Sequence, residues 1–256
     1  MLISLRDVSA GYGSKTVVDC ISFDIAPGEF CALLGLNGSG KTTLLKAVCG
    51  LLPVTKGMCL VNGADVSRLN ERKRARHISY IPQRFSAMQG VAVTDVVMMG
   101  LNARLGAMEF PSAELKTLAF NAMETMGIGS LAGEDFSKLS EGQRQMAVLA
   151  RTLVQDAPVM LMDEPDSALD FLNRHGIMAW FRRNIHAEGK AGLVTLHDPN
   201  LALAYCDRLI LLRNGKIVSD MRLYRAGKDE IRECLSAVYG EITLIEHCGR
   251  YIVLLN

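Results

Sequence analysis

Residues Gly35 to Thr43 read G-L-N-G-S-G-K-T-T, a run in which three glycines precede a lysine and two threonines. Glycines at this spacing let successive backbone N–H groups converge on one anion, while the lysine and the hydroxyl behind them supply a cation and a metal ligand. The chemistry that needs this set is the cradling of a triphosphate. Gly35, Gly38 and Gly40 shape the loop around Asn37 and Ser39, Lys41 reaches the β- and γ-phosphates, Thr42 ligates magnesium, and Thr43 follows on the same turn. A second set lies far downstream. Val159 to Pro165 reads V-M-L-M-D-E-P, an apolar run ending in two carboxylates. That order places Asp163 beside the magnesium and leaves Glu164 facing an attacking water as general base. Taken alone, adjacent acids at a strand end serve as well to cap a following helix; the phosphate loop upstream selects the catalytic reading.

The elements that must position these residues follow from the spacing of apolar side chains. Phe30 to Leu34 is apolar and strand-like and Thr43 to Leu52 has helical spacing, so the loop joins a strand to a helix whose positive N-terminal end adds to the phosphate site. Ahead of it, Ile3 to Val8 and Val17 to Ile25 are β-like, separated by G-Y-G-S and closed by Pro27–Gly28, an antiparallel lead-in over residues 1–30. Strands are predicted at Met58 to Val61 and at Ile78 to Ile81, the latter ending at Pro82–Gln83. From Thr94 to Leu153 the pattern is helical, most clearly over Ser112 to Met126 and Ser140 to Leu153, where Ser140 and Gln143 form an S-x-x-Q capping box. The continuous apolar runs Val159 to Met162, Leu193 to Leu196 and Leu209 to Leu212 read as parallel strands covered on both faces by helices. The expected organisation is a single α/β domain. Its nucleotide-binding core spans 31–93 and 154–218, an inserted helical subdomain spans 94–153, and a tail over 219–256 holds one helix and a hairpin.

Composition narrows the function classes. The chain has 256 residues, 49% of them hydrophobic and 21% charged, with a net charge of +1, so nothing in the balance argues for a nucleic-acid surface or an acidic partner, and no nucleic-acid partner is expected. The basic run Arg72 to Arg76 reads as a solvated helix face. Seven scattered cysteines without a C-x-x-C pair suit buried thiols in a reducing compartment. No leader pattern opens the chain and no apolar run approaches the ~18 residues of a spanning helix, so any work at a membrane requires other subunits to cross it.

Leu139-Ser140-Glu141-Gly142-Gln143, together with the two phosphate motifs, resembles the signature of ATP-binding cassette (ABC) ATPases, whose usual form is L-S-G-G-Q. The resemblance extends over nearly the whole chain and implies a P-loop NTPase (RecA-like) core with an antiparallel β subdomain and an inserted α-helical subdomain. Tyr12, in G-Y-G, matches the aromatic residue that stacks on adenine. Gln83 matches the Q-loop glutamine that senses the metal and water and marks the contact with a membrane subunit. Ser167 to Asp170 matches the D-loop, and His197 matches the switch histidine that contacts the γ-phosphate. The implied ligands are ATP and Mg2+, and the implied partners are a second copy of the chain, polytopic membrane permease subunits and, indirectly, a substrate-binding protein. Two copies would face head to tail, so that Ser140, Gly142 and Gln143 of one complete the ATP site of the other at the cytoplasmic face of the membrane.

Finer resemblance points to the ATPase subunit of importers for iron chelates, haem or cobalamin. It rests on G-L-L-P-x-x-x-G at Gly50 to Gly57, R-A-R-x-I-S-Y-I-P-Q at Arg74 to Gln83, V-V-M-M-G at Val96 to Gly100, H-D-x-N-L-A at His197 to Ala202 and A-V-Y-G at Ala237 to Gly240. The chain departs from the group at Pro199, where leucine is common, and from the family at Glu141, where the signature has glycine. The segment from Arg84 to Met99, with Phe85, Met88, Met98 and Met99, is expected to line a groove for a short helix of the membrane subunit. The competing reading is a regulatory or assembly ATPase uncoupled from transport. A translation or repair factor of this family would carry a second cassette or coiled-coil arms.

Overall fold

The computed structural model describes residues 1–85, 88–105, 109 and 111–255. In chain order its elements are β1 (Ile3–Tyr12), β2 (Lys15–Ile25), β3 (Phe30–Leu34), α1 (Lys41–Val48), β4 (Val54–Val61), β5 (Ala64–Asp65), α2 (Glu71–His77) and β6 (Ile78–Ile81). A helical stretch follows, made of α3 (Val93–Met98), a tight turn over Met99–Ala103, α4 (Ala113–Thr125) and α5 (Glu141–Gln155). The rest comprises β7 (Val159–Asp163), α6 (Phe171–Glu188), β8 (Ala191–Thr195), α7 (Pro199–Tyr205), β9 (Arg208–Arg213), β10 (Lys216–Arg222), α8 (Lys228–Tyr239), β11 (Ile242–His247) and β12 (Arg250–Leu255).

Among the described residues the central sheet has six strands in the order β10-β9-β3-β8-β7-β6, all parallel except β10, which returns antiparallel along β9. Its apolar strands alternate between two cores. In β3, Phe30, Ala32 and Leu34 pack on one side with the helices, whereas Cys31 and Leu33 pack on the other with Leu44, Leu45 and Val48 of α1 and the antiparallel sheet. The same alternation divides Met160 and Met162 from Val159 and Leu161 in β7. A strand buried on both faces has no polar side to show, which is why these stretches are continuous hydrophobic runs in the sequence.

The antiparallel sheet, in the order β2-β1-β4-β5, is larger than the first 30 residues suggest, because β4 and β5 return to it after α1. β4 starts at Val54, four residues before the predicted strand. Thr55, Lys56 and Gly57 face solvent and lack the apolar alternation that marks a half-buried strand. Helix α1 is also shorter than its apolar pattern, since Gly50, at φ 71°, takes a left-handed conformation just after Val48.

β6 and β7 are adjacent parallel strands, so everything from α3 to α5 is one long crossover between them. The basic helix α2 has no buried residue and keeps Arg72, Lys73 and Arg76 exposed, as a solvated face, while its guanidinium groups reach neighbouring carbonyls. Arg76 Nε donates to Ala103 O at 2.8 Å, Arg72 donates to Leu105 O, and Arg74 donates to Gly50 O. Gln155, at the end of α5, donates to both Ala75 O and Ile78 O at 2.8 Å. Of the segment from Arg84 to Met99, Ser86 and Ala87 lie outside the described residues. Phe85, Met88 and Met98 are half-buried against the main core, and Met99 is the exposed member, at 37%. The seven cysteines are all unpaired; Cys20 and Cys248 are exposed, and burial pushes the Cys31 and Cys206 thiols well above their ordinary range. No helix among the described residues is long and apolar enough to cross a membrane.

Candidate functional site

The parallel register brings three strand ends level: Leu33 stands opposite Thr195, and Thr195 opposite Asp163. Whatever the chain holds at the carboxyl ends of β3, β8 and β7 therefore meets in one crevice. Asn37, Gly38, Ser39, Gly40, Lys41, Thr42, Thr43, Gln83, Glu164 and His197, with Val17, line a single cleft of about 430 Å³.

The loop between β3 and α1 is built around two glycines with no substitute. Gly40 caps α1 at φ 107°, a conformation L side chains rarely adopt, and a Cβ there would stand 2.7 Å from Val18 Cγ1. A Cβ at Gly35 would collide with the Leu212 carbonyl and the Ser39 hydroxyl. Lys41 folds back over the loop, donating from Nζ to Gly35 O at 2.7 Å and Leu36 O at 3.3 Å. Burial lowers its ammonium from the ordinary value, and the charges of Glu164 and Asp163 oppose that shift. The Ser39 hydroxyl is buried with no hydrogen-bond partner, an orphan donor inside the cradle.

Facing the loop, the two carboxylates are dressed differently. Asp163, 1% exposed, accepts at Oδ1 from Thr42 Oγ1 (3.1 Å) and Thr195 Oγ1 (2.8 Å), while its Oδ2 is buried and unpartnered. A bare carboxylate oxygen shut away from water is costly. Beside the Thr42 hydroxyl it is the donor set a small oxygen-seeking cation requires, so the residues present fit magnesium. Glu164 has both oxygens engaged, Oε2 accepting from Gln83 Nε2 at 2.5 Å and Oε1 standing 2.6 Å from His197 Nε2. Its backbone takes φ 50°, in the left-handed region. This carboxylate is a proton acceptor held between two donors at the mouth of the phosphate cleft, and general-base action on a water is what that arrangement can do. Burial and the nearby Asp163 push the Tyr80 phenol above its ordinary range.

The other residues named from the sequence stand apart from this cleft. Tyr12, half exposed at 51%, lies at the end of β1. Ser140 and Gln143 form the full capping box at the start of α5, with Gln143 N donating to Ser140 Oγ at 3.3 Å and Ser140 N to Gln143 Oε1 at 2.9 Å. Gly142 lies against the Ala168 carbonyl, where a Cβ would come to 3.3 Å. Asp170 caps α6, accepting from Asn173 N at 2.8 Å. Ser140, Glu141 and Gln143 are exposed, and the start of α5 does not line the cleft of its own phosphate loop.

Two further residues are absent from the sequence reading. Gln145, 4% exposed, donates from Nε2 to Pro165 O at 2.9 Å and ties α5 to the turn behind Glu164. Thr195, fully buried, bridges Asp163 and Glu164. Its signal was a hydroxyl closing an otherwise apolar strand two residues before His197.

The profile of the family described as ABC transporter matches residues 18–167. The hemin import ATP-binding protein HmuV of Vibrio parahaemolyticus is 35% identical over 250 residues, covering 96% of this chain and 93% of its own. An iron chelatin transport ATP-binding protein assigned in Helicobacter pylori is 34% identical, covering 85% of this chain and 86% of its own. Among solved structures, the dimeric bacterial ABC transporter cassette MJ0796 superposes with a TM-score of 0.79 at 26% identity, covering 88% of this chain and all of its own.

Proposed function

Because the chain belongs to the ABC transporter family of ATPases, we propose that it is the ATP-hydrolysing subunit of an importer that takes up haem, an iron chelate or a related metal compound through separate membrane subunits. The observation that carries the reading is the acid pair. Glu164 is clamped between Gln83 and His197 at the mouth of the cleft, while Asp163 keeps one buried oxygen bare beside Thr42.

The roles of the residues follow from that arrangement. Lys41 and the Gly35–Gly40 backbone bind the phosphates, and Tyr12 offers a ring for the adenine to stack on. Thr42 and Asp163, with the Gln83 carbonyl, would hold magnesium, which neutralises charge developing on the phosphate oxygens. Glu164 orients and deprotonates the attacking water, and His197 fixes the Glu164 carboxylate and reaches toward the γ-phosphate. The exposed start of α5 presents Ser140, Gly142 and Gln143 to the ATP of a second copy, and Asp170 with its loop lies between the two sites. ATP binding favours the closed pair because the nucleotide is bound by both copies there and by one in the open state. The cargo is selected by the permease and a substrate-binding protein, and the chain sits on the cytoplasmic face of the membrane by way of the permease.

Affinity purification of the tagged chain from its native membranes, followed by reconstitution into vesicles, tests this. The expected result is two copies bound to a polytopic subunit and ATP-dependent uptake of haem or a ferric chelate. A chain that hydrolyses ATP but never recovers a polytopic partner would instead identify a regulatory or assembly ATPase.

A further inference from the structure

β8 carries one polar side chain, Thr195, fully buried among Ala191, Leu193 and Val194 on a strand between β3 and β7. A threonine hydroxyl has one proton and two lone pairs, and here both kinds of valence are used on the acid pair. The proton goes to Asp163 Oδ1 at 2.8 Å, and a lone pair accepts from Glu164 N at 2.9 Å.

The two bonds have separate consequences. With Thr42 Oγ1 also donating to Oδ1, two hydroxyls converge on that one oxygen of Asp163, and the carboxylate is held so that Oδ2 stays bare. The second bond secures a backbone that does not hold itself. Glu164 has φ 50° and precedes Pro165, a combination that favours neither the left-handed region nor any departure from extended backbone. Such a conformation persists only where its surroundings over-determine it. The strand register that sets Thr195 opposite Asp163 places the hydroxyl at the joint between the two acids.

We propose that Thr195 is a positioning residue of the ATPase reaction, whose hydroxyl fixes Asp163 with one oxygen free for the cation and holds the backbone of Glu164 in its working conformation. The inference rests on the magnesium assignment made above. Thr195 acts through the two acids.

The test compares Thr195→Val, Thr195→Ser and the unaltered protein, each loaded with a non-hydrolysable ATP analogue. Mn2+ binding is read by electron paramagnetic resonance, together with metal-free ATP binding, thermal unfolding and turnover. Thr195→Val should need about 10- to 100-fold more Mn2+ for half-saturation and lose turnover by a similar factor, the usual consequence of removing a partner behind a metal ligand. Metal-free ATP binding, which depends on the phosphate loop, should be retained, and Thr195→Ser, which keeps the hydroxyl, should restore the Mn2+ response. Thr195→Ala serves as the hydroxyl-free variant if valine does not give folded protein. An unchanged Mn2+ response in the hydroxyl-free variants, or a serine variant as impaired as valine, overturns the inference alone. An unaltered protein whose nucleotide complex takes up no Mn2+ overturns the magnesium assignment and the inference with it.

Discussion

His197 Nε2 stands 2.6 Å from Glu164 Oε1, joining the loop after β8 to the end of β7 across the mouth of the phosphate cleft. The histidine is half exposed while the glutamate is 7% exposed, so a solvent-facing group is coupled to a buried one. With Gln83 holding the other carboxylate oxygen, Glu164 reports to two segments that enter the site from different parts of the chain. Under the proposed roles, a γ-phosphate in the cleft would compete for the same donors and leave the Glu164 carboxylate to orient a water.

Asp166 gives a pH signature. Burial raises its carboxyl above the ordinary value, Glu164 adds to the effect, and Arg174 and His197 oppose it. A carboxyl raised in the folded state binds more protons there than in the unfolded chain, so stability falls as pH rises from the ordinary carboxylate range through the raised value. Above that window the ionised group is a cost. Asp166→Asn should therefore unfold at a higher temperature than the unaltered protein at neutral pH, with the difference shrinking in acid near pH ~4. Scanning calorimetry at both pH values checks this, and a neutral-pH loss would mean the carboxylate makes a contact worth more than its burial costs.

Glu141 is exposed at the first position of α5, with its side chain outside the cleft of its own chain. A carboxylate there complements the helix end by about 0.3–1 kcal/mol. Glu141→Gly should accordingly loosen the helix slightly and leave ATPase activity within a few-fold. ATP-dependent dimerisation, titrated at two salt concentrations, is the check. A strong, salt-sensitive gain in the glycine variant would show that the carboxylate turns toward the partner's phosphate.

The methionines after Gln83 separate packing from docking. Met88 is half-buried against the core, so Met88→Glu should cost roughly 1–3 kcal/mol of stability. Met99 is exposed at the start of the Met99–Ala103 turn, and Met99→Glu should spare the fold but weaken recovery of the membrane subunit. Thermal unfolding and co-purification of both variants distinguish the two roles. A destabilised Met99→Glu with an intact complex would remove that face from the docking surface.

Much of this architecture was legible because the phosphate loop, the acid pair and the apolar strands are local patterns. β3 and β6 begin and end where their apolar runs do, and Ser140 with Gln143 announces the start of α5. What escaped the sequence depends on contacts between distant segments. The longest helix among the described residues, α6, buries Ile177, Met178, Phe181 and Ile185 on one face, yet Phe171 and Leu172 stay exposed and blur its periodicity. The arginines of α2 look like a charged surface until the carbonyls of Gly50 and Ala103 are brought beside them. Thr195 is one hydroxyl in an apolar strand, and only the sheet register places it between two acids. Tyr12 and the start of α5 do not line the phosphate cleft; the resemblance gives Tyr12 to the adenine and the α5 start to the site of a second copy, neither of which a single chain shows.

The most direct test of the account replaces the base and nothing else. Glu164→Gln keeps the shape of the side chain but removes its charge and its ability to accept a proton, while the loop from Gly35 to Thr43 is untouched. Phosphate release by the purified chain with ATP and magnesium should fall by about 10²- to 10⁴-fold, and size-exclusion chromatography should show the variant held as an ATP-bound dimer. Near-normal turnover, or a variant that binds ATP yet remains a monomer under those conditions, would contradict the assignment of Glu164 as the base of an ATP site shared between two copies.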